Sequence, residues 1–96
     1  MIVVRRLIWD PWNIGHIARH EVTPEEVEEV CHGDPLVQAG QQGRSLVFGP
    51  TRSGRMLTVV IDPESEETGV YYPVTARPAS RRERAIYAGG RGGDIK

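Results

Sequence analysis

The stretch Thr23–Ala39, TPEEVEEVCHGDPLVQA, contains the point where the chain changes from helical to strand periodicity. Thr23 is a favourable N-cap, Pro24 fits the first helical turn, and Glu26 three residues after the cap completes a capping box. Gly33 ends this helix, whose one apolar stripe is formed by Val27, Val30 and Cys31. The stretch therefore predicts a short helix followed at once by strands.

Before this stretch the sequence predicts one strand and one helix. Residues 2–9 are mostly β-branched or aliphatic, and the charges of Arg5 and Arg6 are typical of an edge strand. Asp10-Pro11 is a helix start, which predicts a helix over residues 11–20 that packs through Trp12 or Ile14 and through Ile17.

After this stretch the period is two. The predicted strands are 36–39, 44–48, 56–61 and 70–75, separated by Gly, Pro, Ser and Asp clusters as in an antiparallel meander. Pro73 predicts that the last strand lies at an edge or carries a bulge. Ser80 and Glu83 form another capping box, which starts a helix that runs to about Ala88.

These elements predict an α+β fold, with a single antiparallel sheet of three to five strands, two short N-terminal helices and one C-terminal helix. The 96 residues suffice for one domain, expected over 1–88, with a flexible glycine-rich tail over 89–96. No apolar run approaches the roughly 18–20 residues of a membrane span, and no secretory signal is recognisable. A single cysteine, Cys31, excludes an internal disulfide framework, so we expect a cytoplasmic protein.

The formal net charge of −1 conceals an uneven distribution of charge along the chain. Residues 21–34 carry only acidic charges, whereas residues 77–91 carry five arginines against Glu83. Eleven of the twelve basic residues are arginine, the side chain whose planar fork binds phosphate or carboxylate at two points. GC-rich coding accounts for that bias equally well.

Metal and nucleophile patterns in the chain are weak. His16 and His20 stand four apart, which allows a shared metal, but Ile17 replaces the glutamate of the metalloprotease motif. Cys31 lies on the apolar stripe, which favours a buried structural thiol. We therefore predict neither a metal site nor a cofactor.

The arginines predict a basic cleft if the strands form a meander. Arg44, Arg55 and Arg77 then come from three neighbouring strands or their ends, and Arg81 and Arg84 from the adjoining helix. The alternative is that Arg55 merely follows a turn. The helix arginines then form only a solvated helix face, and these are Arg81, Arg82 and Arg84.

Three stretches resemble the BrnT-type toxins of bacterial type II toxin–antitoxin systems, which are related in fold to the RelE ribonucleases. They are Trp9-Asp10-Pro11 leading through Arg19-His20 to Glu26, then Arg44–Gly49 with Gly54–Val60, and Val74–Arg84 with Tyr87. Residues 8–87 carry the resemblance. The sequence departs from the family at Asn13, near a usual lysine, and at Glu21, where glycine is usual.

The resemblance implies a RelE-like fold and a metal-independent endoribonuclease that inhibits translation. It also implies neutralisation by a DNA-binding ribbon-helix-helix antitoxin, and it leaves homo-oligomerisation open. Matching positions give His20, Arg55, Arg77 and Glu83 as catalytic residues. The residues expected to bind RNA phosphate are Arg44, Arg81 and Arg84. The alternatives are a catalytically inactive module that binds RNA or protein, and a tail that binds RNA through Gly90-Arg91-Gly92.

Overall fold

The computed structural model describes residues 3–64 and 66–90. In chain order the elements are β1 (Arg6–Leu7), α1 (Pro11–Ala18), α2 (Pro24–Cys31), β2 (Leu36–Ala39), β3 (Ser45–Pro50), β4 (Met56–Pro63), β5 (Val70–Pro78) and α3 (Arg81–Ala88). The five strands form one sheet in the order β1-β5-β4-β3-β2. Helices α1 and α2 precede the four consecutive strands β2–β5, and α3 follows them. The α+β class, the three helices and the single sheet are confirmed.

The prediction of a purely antiparallel sheet is wrong, because β1 runs parallel to β5. Arg6 pairs with Val70 and Leu7 with Tyr71, whereas β2, β3, β4 and β5 pair antiparallel in succession. A strand that is separated from its neighbour by two helices and three strands has no hairpin to make it antiparallel. The predicted edge position of this strand is confirmed, but its span narrows to two residues.

Pro73 lies in an internal strand, so the edge alternative is wrong and the bulge alternative is confirmed. The register of β4 against β5 passes from Val60↔Thr75 to Ile61↔Pro73, which leaves Val74 unpaired. A proline has no N–H to donate, and a bulge is one of the few places in a sheet that accept it.

The two predicted capping boxes, at Thr23 and Ser80, are present. The predicted N-cap Asp10 is confirmed as well, and it forms a third capping box with Asn13. Helix α1 ends at Ala18, two residues earlier than expected. Beyond it Glu21 adopts φ 60°, a left-handed conformation in which glycine is favoured.

The core lies between the sheet and helices α1 and α2. Its fully buried members include Ile17 and Val27 from the helices and Val59 and Ile61 from β4. Trp12 and Ile14 do not pack as expected, because they are 58% and 40% exposed. Alternation along the strands places a second row of side chains on the other face.

That second row contains Leu36, Phe48, Thr58 and Arg77, which are paired in register across four strands. Helix α3 lies on this face: Glu83 accepts a hydrogen bond from Thr58, and Gly90 lies beside Leu36. None of the residues of α3 is fully buried. The helix nevertheless covers Phe48 and Thr58, and these two side chains are fully buried. Residues 91–96, most of the expected tail, lie outside the described residues.

Candidate active site at one end of the sheet

Arg77 and Glu83 form a two-point ion pair at the end of β5. Nη1 of Arg77 donates to Oε1 of Glu83 and Nη2 donates to Oε2, each at 2.7 Å. Oε1 also accepts from the Thr58 hydroxyl at 2.9 Å and from the Ser80 amide at 2.8 Å. The carboxylate, which is itself held by the Thr58 hydroxyl and the Ser80 amide, thus fixes the orientation of the guanidinium through two hydrogen bonds, while 41% of the Arg77 side chain stays exposed.

The ion pair keeps both groups charged. The hydrogen bonds from Arg77 are the main cause that lowers the pKa of Glu83 to about 2, against partial desolvation that acts to raise it. The same bonds raise the pKa of Arg77 above its ordinary value. A carboxylate with so low a pKa is a poor proton acceptor at neutral pH, so Glu83 is suited to positioning Arg77.

Arg55, just before β4, is bound on the other face of the sheet. Its Nη1 donates to the Glu21 carbonyl at 2.7 Å and to both carboxylate oxygens of Glu26 at 3.1 Å. Its Nη2 donates to the His20 carbonyl at 3.3 Å. Arg55 therefore holds the turn between α1 and α2, and Glu26 neutralises part of its charge.

His20 is exposed in that turn, with its backbone held by Arg55. Its ring lies edge-on to the ring of His16, with a centroid distance of 6.2 Å. Arg55 and Arg77 border the same end of the sheet, since Arg55 directly precedes β4 and Arg77 pairs with Thr58 in that strand. The structure thus brings four predicted site residues to one end of the sheet. His20 and Arg55 lie on the face that carries α1 and α2, and Arg77 and Glu83 lie on the face that carries α3.

Helix α3 adds cations beside Arg77. Arg81, Arg82 and Arg84 are exposed on its first turns, and Nη1 of Arg84 donates to the Ala79 carbonyl at 3.2 Å. Among the described residues, Arg81 and Arg82 have no recorded ion pair, so their charges face solvent.

Arg44 does not join this group, and the predicted cleft of three strand arginines is wrong in that respect. Ser45, next to Arg44, pairs with Ile61, whereas Pro50 at the other end of β3 pairs with Met56. The five-residue step from Ser45 to Pro50 corresponds to roughly 16 Å. At the far end of the sheet, Arg44 Nε lies 3.8 Å from an Asp62 carboxylate oxygen.

Asn13, which from the sequence is only a departure from the family pattern, is a positioning residue in the structure. It is fully buried, and its Nδ2 donates to the carbonyls of Ile8 and Pro73 at 3.0 and 3.1 Å. Its Oδ1 accepts from the Asp10 amide at 2.9 Å, which closes the capping box of α1. Asn13 thereby joins α1 to β5, and the only sequence signal was its place three residues after an N-cap.

Trp9 and Cys31 belong to the packed part of the fold. Trp9 donates from Nε1 to a carboxylate oxygen of Glu28 at 2.9 Å. Burial raises the pKa of the Cys31 thiol to about 12, with a smaller contribution from Glu28. Within residues 3–64 and 66–90, no three His, Cys, Asp or Glu side chains come together in a way that could hold a metal ion. None of the helices in those ranges is long and apolar enough to cross a membrane.

Comparison with known proteins places the chain by its fold. No family model matches the sequence, and no curated protein matches it. Among solved structures, the crystal structure of the Brucella abortus ribonuclease toxin BrnT is similar to this chain with a TM-score of 0.62 and 22% sequence identity. The match covers 79% of this chain and 97% of that chain. The resemblance read from the sequence is thereby confirmed at the level of the fold, and the chain has a BrnT-like fold.

Proposed function

We propose that the protein is an endoribonuclease and the toxin of a toxin–antitoxin pair. The observation that carries the proposal is the Arg77 guanidinium, held at two points by Glu83 and partly exposed beside the cations of α3. The fold shared with a ribonuclease toxin supports this reading. Cleavage in this proposal uses no metal: the 2′-hydroxyl of the RNA attacks the adjacent phosphate, the P–O5′ bond breaks, and the products end in a 2′,3′-cyclic phosphate and a 5′-hydroxyl.

That reaction needs a group to remove the 2′-hydroxyl proton, cations for the charge that develops on the phosphate, and a donor to the leaving oxygen. His20 is the proton-transferring residue in this proposal, since an imidazole ring has one nitrogen that can accept a proton and another that can donate one. Arg77 stabilises the developing negative charge. Arg55 and Glu83 act as positioning residues, through the His20 turn and through Arg77 respectively.

Arg81 and Arg84 bind the flanking phosphates in this proposal, and Arg44 is left out because of its position. The substrate is RNA in the cytoplasm, and its cleavage inhibits translation. A ribbon-helix-helix protein encoded beside the toxin neutralises it. The exposed basic side chains of α3 beside Arg77 support binding of RNA phosphate there, and the acidic side chains of α2, on the opposite face of the sheet, suit a basic surface of a protein partner.

The test is cleavage of a single-stranded RNA by the purified protein in the presence of a metal chelator. We expect products that end in 2′,3′-cyclic phosphate, the result of 2′-hydroxyl attack. His20→Ala and Arg77→Ala are expected to lower the rate by roughly 100-fold or more. Arg44→Ala is the matched control and retains the wild-type rate.

A catalytically inactive binding module is the second candidate. It is favoured by the pairing of Arg55 with Glu26 and of Arg77 with Glu83, which leaves neither arginine with an uncompensated charge. RNA that is bound but left intact, with equal growth on expression of wild type and Arg77→Ala, would establish this candidate and refute the enzyme. Cleavage that stops on addition of chelator contradicts the metal-independent reaction.

A further inference from the structure

Three aromatic rings stand in a row along the exposed side of α1 and the turn that follows it. The rings of Trp12 and His16 are stacked, with centroids 5.0 Å apart and planes inclined by 8°. His16 meets His20 edge-on at 6.2 Å. The row follows the four-residue spacing of a helix face and ends at the proposed proton-transferring residue.

Among the described residues, Trp12 stacks on His16 and is not part of the core. Helix α1 buries Asn13 and Ile17, whereas Trp12 is 58% exposed. One face of the indole is held against His16, which fixes its orientation. Gly15, on the same side of the helix, has open space where a side chain would stand, with no atom within 4 Å of an added Cβ. Because Gly15, three residues after Trp12, has no side chain, the space beside the indole is unobstructed.

We propose that Trp12 is a stacking platform for an unpaired base of single-stranded RNA. This inference rests on the proposed function, because it takes RNA as the ligand. Every base has a π-face, so a fixed, exposed indole binds unpaired bases without reading their sequence. Arg19 and the imidazole of His16, on the same exposed side of the helix, supply partners for the adjoining phosphates.

The surroundings of Trp12 favour RNA over a protein partner. The side chains that follow it along the row are the half-buried His16 and the exposed Arg19 and His20, all of them polar. Ile14 is the other exposed large apolar side chain of α1. It points away from Trp12, because side chains two residues apart lie on different sides of a helix. Trp12 is therefore an isolated flat ring among polar groups, whereas the core of a protein-docking surface is a contiguous apolar patch.

The test uses a Trp9→Phe background, in which Trp12 is the remaining tryptophan of the chain. The probes are an unstructured 2′-O-methyl oligoribonucleotide, which cannot undergo 2′-hydroxyl attack, and an abasic oligomer of the same length and charge. We expect the base-containing probe to quench Trp12 fluorescence. Trp12→Leu is expected to weaken its binding roughly five- to 150-fold and to leave the abasic probe unaffected.

Two further variants separate stacking from general apolar contact and from misfolding. Trp12→Phe retains an aromatic face and is expected to recover most of the affinity, which Trp12→Leu does not. Ile14→Ala, on the same helix, binds both probes as wild type. Circular dichroism of each variant, compared with the parent, identifies any that has lost its fold.

Unchanged binding by Trp12→Leu, or an equal loss for both probes, overturns the platform. A Trp12→Leu variant that loses a protein partner while keeping RNA overturns it as well. Cleavage by the wild type together with unchanged binding by Trp12→Leu leaves the proposed function standing. Trp12-dependent base binding without any cleavage overturns the proposed function alone.

Discussion

The carboxylate of Glu83 joins three parts of the molecule: the start of α3 at Ser80, the central strand β4 at Thr58, and the guanidinium of Arg77. One side chain therefore caps a helix, fixes that helix to the sheet and orients a cation. Because these contacts involve the ionised form, the stability of this region depends on the charge of Glu83.

Glu83 predicts a loss of stability in acid. Its pKa in the folded protein, about 2, lies below the ordinary value of 4.5, so its contribution is present above about pH 4.5 and is lost as the pH falls toward 2. We expect this contribution to be about 1–2 kcal/mol, since Arg77 is 41% exposed and solvent screens the pair.

Urea unfolding at pH 7, 4 and 2.5 measures this contribution. Glu83→Gln is expected to be less stable than wild type at pH 7 and to approach it at pH 2.5. Glu25→Gln, an exposed carboxylate on α2, is the control and should follow the wild type throughout. A constant difference between Glu83→Gln and wild type across the whole pH range would show that ionisation of Glu83 is not the cause.

Asn13→Leu is expected to destabilise the fold although leucine is similar in size. The substitution leaves the carbonyls of Ile8 and Pro73 and the amide of Asp10 without their partner, which costs about 2–4 kcal/mol. Thermal and urea unfolding measure the change. Ile14→Ala, at an exposed position of the same helix, should cost less than about 1 kcal/mol, and equal losses would refute the special role of Asn13.

At the scale of elements, the helices are defined by local signals and the strands by distant ones. The caps at Asp10, Thr23 and Ser80 were predictable because each capping box lies within four consecutive residues. Position along the sheet was not predictable for Arg44, because register depends on pairing between strands. Glu83 was expected at the site because of its place in a matched motif, but its contact with Thr58 depends on the position of β4 in the sheet, which no local pattern contains.

Two glycines with equal space predict opposite effects of the same substitution. An added Cβ at Gly15 or at Gly54 meets no atom within 4 Å, but Gly54 has φ 91°. Gly15→Ala inside α1 is expected to raise the free energy of unfolding by about 0.5–1 kcal/mol. Gly54→Ala is expected to lower it by about 1–2 kcal/mol, because an L side chain is strained there.

Urea unfolding of the two alanine variants is the measurement. Since neither substitution creates a contact, the difference between them isolates backbone conformation. Stabilisation by both substitutions, or destabilisation by both, would contradict the assigned conformations.

At the scale of the whole molecule, the sheet has a protected centre and two different edges. Val59 and Ile61 in β4 are fully buried, with a strand on each side, whereas β1 and β2 are the edges. We expect the amides of β4 to exchange with solvent only on global unfolding, and that of Ile8, beyond the edge strand, at least about tenfold faster. Hydrogen exchange followed by NMR at several low urea concentrations checks this order. Equal protection of Ile8 and Val59 would contradict it.

The pairing of β1 with β5 orders events during synthesis of the chain. Arg6 has its partner at Val70, and the side chain of Asn13 has one at Pro73. On the ribosome, the first segment to emerge therefore waits until most of the chain has followed. Helix α1, which leads into the turn of His20, and the strand that carries Arg77 come together only in this last step, so an incomplete nascent chain does not bring His20 and Arg77 to one end of the molecule.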